Sequence, residues 1–329
     1  MKTETESQLL DIIYKTGPLR PVDIAKSLDI SLQMVHRHLK KLLQQNKIKR
    51  LGSPPKVYYQ YLKPIVLPDT TKLEPKVITY IEENYLILTP SGERLFGIKG
   101  FLWWSKKTNQ LNLGKLALEY MNAHQHFQNE YNNKLGSIDA TFKIHNTFKK
   151  SYLNKLFYYE FYSLPKFGKT KSGQLVYLGK SGQNISAIKQ LVEKSKDTIN
   201  KTIKHYRIDA VAFAPHSIPR KIQFLDVFKK KLGLNLPLLL LDKIFVEDFP
   251  VSQKSLSKLN DRIENAESTI FPNRKTSSFN NILVIDDAVG SGATLNIIAK
   301  KLKLLNPKAK VYGFALTGSL KGFEVINEI

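Results

Sequence analysis

Two adjacent acids, Asp286 and Asp287, end the apolar run Ile282-Leu-Val-Ile and stand just before Val289-Gly290-Ser291-Gly292-Ala293-Thr294. Side-by-side carboxylates can accept from neighbouring sugar hydroxyls. A short loop with two glycines, opening a helix, turns several backbone N–H groups toward one point and suits a phosphate. The chemistry these residues could do together is to hold a phosphorylated sugar. One further stretch carries cations suited to a pyrophosphate: Arg220 and Lys221 follow Pro215-His-Ser-Ile-Pro. Arg220 and Lys221 would equally serve to open a surface helix, and both readings stand. The loop is not a Walker loop, because Gly-Lys-Ser/Thr is absent, and it lacks the third glycine of the dinucleotide fingerprint.

The elements that must position these residues alternate. Ile282–Ile285 reads as a buried parallel strand. Leu295, Ile297, Ile298, Leu302 and Leu305 space as a helix. Upstream, a basic helix over 188–206 leads to a strand over 208–215. A helix over 221–232 then leads to a strand from Leu238 to Leu241. A closing strand spans Val311 to Leu316. Strands and helices alternating at this spacing predict a doubly wound parallel sheet with ligands at the carboxyl ends of its strands.

The strand, acid pair, Gly-Ala-Thr loop and helix resemble the phosphoribosyl pyrophosphate (PRPP) signature of type I phosphoribosyltransferases. That resemblance implies Asp286 and Asp287 on the ribose hydroxyls. It places Val289, Gly290, Ser291, Gly292, Ala293 and Thr294 around the 5-phosphate, and Mg²⁺ with the pyrophosphate. Many members carry Thr-Thr-Gly where this chain has Gly290-Ser291-Gly292, so one hydroxyl contact is missing. Pro215, Arg220, Gln223, Ser252-Gln253, Leu256-Ser257, Arg262, Asn265-Ala266 and Phe271 look like the ComF-type branch. The resemblance assigns Arg220, Lys221 and Arg262 to the leaving pyrophosphate, and Ser252–Ala266 to a mobile loop. It makes the aromatic stretch 151–185, read as strand, turn and strand, a hood over the acceptor. The cysteine zinc ribbon of that branch has no counterpart in a chain with no cysteine.

Residues 1–62 read as three helices and a two-stranded wing. Gly17-Pro18 stops the first helix, Asp29-Ile30-Ser31 makes the tight turn, and Ser31 caps the third helix. The order resembles a winged helix-turn-helix domain. The third helix offers Gln33, His36, Arg37 and Lys40 to a major groove, and the wing offers Lys49, Arg50 and Lys56 to phosphates. Lys and Arg number 51 against 28 Asp and Glu, a net charge of +23, which calls for a polyanionic partner; double-stranded DNA leads.

The expected fold class is therefore multidomain. An N-terminal winged helix (α+β) spans 1–62, and a linker and middle region spans 63–150, with prolines from Lys63 to Pro75. A C-terminal α/β doubly wound parallel sheet of phosphoribosyltransferase type spans 151–329. Residues 113–131 read as a helix with an oligomerisation face, and the family resemblance implies a homodimer. His124 and His126, two apart, fall on different helix faces and predict no metal pair. No run approaches a membrane span and the N-terminus carries acids without an apolar core, so a cytoplasmic protein is expected. Two functions follow from the resemblance: Mg²⁺-dependent transfer of ribose 5-phosphate to a base or nucleotide by a DNA-bound enzyme, or sensing of PRPP or a nucleotide by a regulator without turnover. A nucleic-acid-directed defence effector is a third.

Overall fold

A computed structural model describes residues 2–62, 73–110, 112–131, 133–245, 250–272 and 279–319. Most of the linker expected from Lys63 to Pro75 lies outside them. The chain divides into two compact units, Met1–Leu67 and Pro68–Ile329.

The first unit is three helices and a hairpin: α1 (Lys2–Thr16), α2 (Pro21–Leu28), α3 (Leu32–Gln44), β1 (Ile48–Ser53) and β2 (Lys56–Tyr61). Gly17, with positive φ, ends α1, and Pro21 opens α2 where its missing N–H costs nothing. Asp29 takes the left-handed conformation, and the Ser31 hydroxyl accepts from the Met34 N–H at 3.2 Å, capping α3. Leu9, Ile13, Ile24, Val35, Leu39, Leu42, Ile48 and Tyr59 form one core. β1 and β2 pair antiparallel through Ser53 and Lys56, and Leu19 bridges to Tyr59.

The second unit begins with α4 (Pro75–Asn84), the hairpin β3 (Leu86–Leu88) and β4 (Arg94–Phe96), α5 (Gly97–Lys107) and α6 (Leu113–Tyr131). Leu116, Tyr120 and Met121 of α6 pack on Ile81 and Phe101 in an internal core, while Leu118 of the same helix is exposed. Trp104 lies against Phe101 and Phe167. There follow β5 (Ile138–Asp139), α7 (Thr141–Thr147), β6 (Lys155–Phe161), the short pair β7 (Ser163–Leu164) and β8 (Gly168–Lys169), α8 (Lys171–Lys180) and α9 (Ile185–His205). Then come β9 (Ala210–Phe213), α10 (Phe224–Leu232), β10 (Leu238–Leu239), β11 (Leu241–Lys243), α11 (Leu259–Thr269), β12 (Ile270–Pro272), β13 (Asn281–Val289), α12 (Ala293–Leu305) and β14 (Lys310–Gly318).

The central sheet runs β10-β9-β13-β14-β6-β5, parallel except that β5 pairs antiparallel to β6. Alternation along β13 explains its unbroken apolar run. Ile282 and Val284 face the core shared with α7, α11 and α12, while Leu283 and Ile285 face the core shared with α8, α9 and α10. β9 leaves through α10 to β10 on one side; β13 leaves through α12 to β14 on the other. The crevice between their carboxyl ends is a switch point, where α/β sheets place ligands.

Three local expectations change. Leu175-Val-Tyr-Leu, expected as a strand, lies in α8. That helix is buried from Ser172 to Val176 and again at Leu178 and Gly179, which erases its helical periodicity. The aromatic run at 157–161 belongs to β6 of the central sheet, and the rest of the stretch supplies the separate β7–β8 pair and α8. Ser252–Ala266, expected as a mobile loop, contains a turn of 3₁₀ helix at Gln253–Ser255 and most of α11. Its ends are tied by β11 pairing with β12.

Candidate functional site

The crevice opens into a cavity of about 400 Å³. Its walls bring together Asp286, Asp287 and the whole of Val289 to Thr294 from the end of β13, Arg220 from the loop after β9, and Arg262 from α11. Lys221, expected beside Arg220, is exposed and absent from these walls. It stands one residue past the position that faces inward. Gly292, at φ 85°, caps the start of α12, and a Cβ there would strike the Ile144 side chain. The loop therefore needs glycine both for its conformation and for the close approach of α7. The Ser291 hydroxyl accepts from the Ala293 N–H at 3.3 Å, which bends the loop before the helix.

Asp287 is buried and Asp286 half-buried. The Lys180 ammonium lies 2.6 Å from each oxygen of Asp287. Asp286 Oδ1 accepts from the Asp287 N–H at 2.7 Å. Burial and the neighbouring Asp287 charge push the Asp286 carboxyl up to about 7, against the pull of Lys180. Arg220 donates to the Lys180 carbonyl at 2.6 Å, completing the last turn of α8. Arg220, Lys180, Asp287 and Asp286 thus form one connected network across the crevice.

Lys180 is the member that motif reading missed. It lies in a stretch without apolar periodicity, 107 residues from its partner, and only the topology joins them. Arg262 is buried and its Nε donates to the Leu256 carbonyl at 2.6 Å. Gln253 donates to Asn265 Oδ1 at 2.8 Å and to the Arg262 carbonyl at 3.2 Å. This part of the expected family pattern therefore fastens the 252–266 segment to itself. Lys243, also on the wall, donates to Asn265 at 3.1 Å, and burial lowers its ammonium to about 8.

No group of three or more metal-binding side chains occurs among the described residues. His124 is buried and bonded to Tyr80 at 2.7 Å and to Glu160 at 2.5 Å, a tie between α4, α6 and β6. Among the described residues no helix is long and apolar enough to cross a membrane. In the first unit, Gln33, His36, Arg37 and Lys40 are all exposed along one face of α3, opposite buried Val35, Leu39 and Leu42. Arg50 and Lys56 are exposed on the wing, and Lys49 is half-buried.

Two measurements test the charge network. The folded-state value of Asp286 lies above its ordinary value, so its contribution to stability is complete below the carboxylate range and lost as pH rises to about 7. Asp286→Asn should leave the melting temperature nearly unchanged near pH 4 and raise it by a few degrees above neutrality. An equal shift at both would contradict the assignment. Lys180→Met strands a buried carboxylate and should cost the second unit about 3 kcal/mol in urea denaturation, while Lys180→Arg should cost much less.

Comparison with known proteins places the first unit. No curated protein matches the chain. Residues 2–55 match the MarR family model, and the N-terminal unit is a winged-helix domain of that kind.

Proposed function

We propose that this chain is a DNA-binding regulator whose second unit captures a phosphorylated ribose, PRPP or a nucleotide, in the crevice between β9 and β13. The observation that carries the reading is the convergence of the acid pair and the glycine loop on one cavity at a switch point. Backbone N–H groups at the start of α12 would hold the 5-phosphate, and Asp286 and Asp287 would accept from the ribose hydroxyls. The family likeness of the strand, acids and loop to type I phosphoribosyltransferases supports the same ligand. The match of the N-terminal unit supports a regulatory role on DNA and a dimer. A soluble cytoplasmic protein fits that role.

Transfer of ribose 5-phosphate to a base or nucleotide is the second reading, favoured by Arg220 on the same wall as the acids. Magnesium fits in one mode. An acid pair without further ligands cannot cage the ion, but Mg²⁺ is commonly held by one or two carboxylates together with substrate phosphates. Asp286 and Asp287 would serve in that way, and the ion would neutralise charge on a departing pyrophosphate. Arg220 has guanidinium N–H groups beyond the one given to Lys180, so it can meet the same anion. Arg262, tied to Leu256 through Nε, contributes charge to the wall more than reach.

On the DNA side, exposed Arg37 and Lys40 lie on the outer face of the capped helix. Arg37→Ala with Lys40→Ala should weaken duplex binding at every salt concentration and reduce the slope of log affinity against log salt by about 2. An unchanged slope would remove α3 from the phosphate backbone. On the ligand side, calorimetry with Mg-PRPP should register binding that Asp287→Asn abolishes. Pyrophosphate release with pooled bases and nucleotides then separates the two readings. Release makes the chain a transferase; binding without release, with a change in duplex affinity, makes it a sensor.

A further inference from the structure

Beneath the loop that follows β13 lies a positive charge that, among the described residues, no carboxylate answers. Lys143, on α7, is 4% exposed, and its ammonium donates to the Ser319 carbonyl. Ser319 in turn donates from its N–H to the Val289 carbonyl at 3.2 Å. Val289 begins the glycine loop and pairs with Gly318, and Ser319 lines the cavity. The ammonium is therefore anchored beside the point where the loop leaves the sheet. The residue after it, Ile144, is the one that closes on Gly292. A second buried donor meets the same place. The wholly buried Tyr158 ring lies against Gly318, and among the described residues its hydroxyl has no hydrogen-bond partner.

An ammonium taken out of water needs an opposite charge or several acceptors. The charged groups on the elements around α7 are engaged elsewhere. His145 on α7 itself is exposed. Asp139 on β5 pairs with Lys155 of β6 at 3.2 Å. Glu160 on β6 binds His124. On β13, Asp287 holds Lys180 and Asp286 accepts from the Asp287 N–H. None of these forms an ion pair with Lys143.

We propose, resting on the ribose-phosphate reading, that Lys143 is the fixed cation behind the phosphate loop and makes the site select an oxyanion of double charge. Its field reaches the loop through packed, water-poor protein, where charges act more strongly than in solvent. Without an anion in the loop, burial lowers the ammonium to about 7, so it is partly neutral at that pH. An oxyanion in the loop draws the proton back, and binding takes up a proton.

Sulfate is a suitable probe, because its charge is constant across the neutral range. The full chain carrying Asp286→Asn and Lys243→Met removes the two cavity groups whose shifted values fall at about 7 and about 8. In that background, calorimetric sulfate affinity should fall about tenfold between about pH 6 and about pH 9 as Lys143 loses its proton. Adding Lys143→Met should weaken binding about tenfold at the lower pH and flatten the profile. Adding Lys143→Arg should keep the affinity and flatten the profile, an outcome no purely structural role produces. Affinity and profile unchanged by Lys143→Met overturn the role of Lys143, and leave the pocket standing if the natural chain binds ribose 5-phosphate. Should Lys143→Met not fold, a profile in Lys143→Arg as steep as its parent overturns it equally. Failure of the natural chain to bind either sulfate or ribose 5-phosphate ends both readings.

Discussion

Adjacent carboxylates at the buried end of a strand repel one another, and the crevice is arranged around that repulsion. Asp287 is paired with the Lys180 ammonium, and Asp286 is pushed toward its neutral form. The cation comes from the end of α8, which packs on the face of the sheet to which Leu283 and Ile285 point. Alternation along β13 sends Asp287 to that same face. The pairing is thus a consequence of strand register: a slip of one residue would bring Asp286 to the ammonium and carry Asp287 to the opposite core. Arg220 locks the arrangement by holding the carbonyl of Lys180. A ligand offering two hydroxyls would find acceptors already oriented and partly compensated, at little cost of reorganisation.

The crevice itself comes from topology. Crossovers from β9 and β13 diverge to opposite faces, so neither crossover helix lies over the ends of these two strands. Short β10 and the β11–β12 pair supply one wall, and the glycine loop supplies another. The glycine loop can be tight because α7 backs it, and α7 can come close because Gly292 has no side chain. Chain order alone gives α7 no place in the doubly wound repeat. It precedes β6, the strand that adds to the sheet beyond β14, and so reaches the site from the far edge.

How much of this was legible in sequence followed physical rules. The winged helix was, because each of its stops has a local cause: Gly17, Pro21, the left-handed Asp29, the Ser31 cap. The strands and helices from Ile185 onward were, because helices there are amphipathic and the parallel strands are uniformly apolar. α8 was not. A helix buried nearly all round loses the 3.6-residue pattern, and Leu175-Val-Tyr-Leu alone reads as a strand; the signal that could have found it is Thr170, whose hydroxyl accepts from the Gly173 N–H at 3.0 Å as an N-cap. Missing α8 meant missing Lys180. The 252–266 segment was placed correctly along the chain, but its polar residues proved to bond one another. Spacing cannot tell a side chain that meets a ligand from one that ties a turn. Residues 73–131 form their own core against Leu164 and Phe167, a long-range pairing with no local mark.

The cations of this crevice are few among those of the chain, but their setting differs from that of the surface ones. A net +23 is a diffuse quantity, and exposed lysines are screened within about 10 Å by salt. The cations that matter for an anion are those withdrawn from solvent. Lys143 is buried behind the loop, Lys180 stands beside the acids, and Arg220, Lys243 and Arg262 face the cavity. Two of the five have lowered ammonium values through burial, and a third has a guanidinium shifted the same way. Each is therefore strained as a charge while no anion is near, and each gains when one arrives. On the proposed reading, a site built from such groups would bind by completing its own electrostatics, and its affinity for a phosphorylated ligand would be linked to protons as much as to shape.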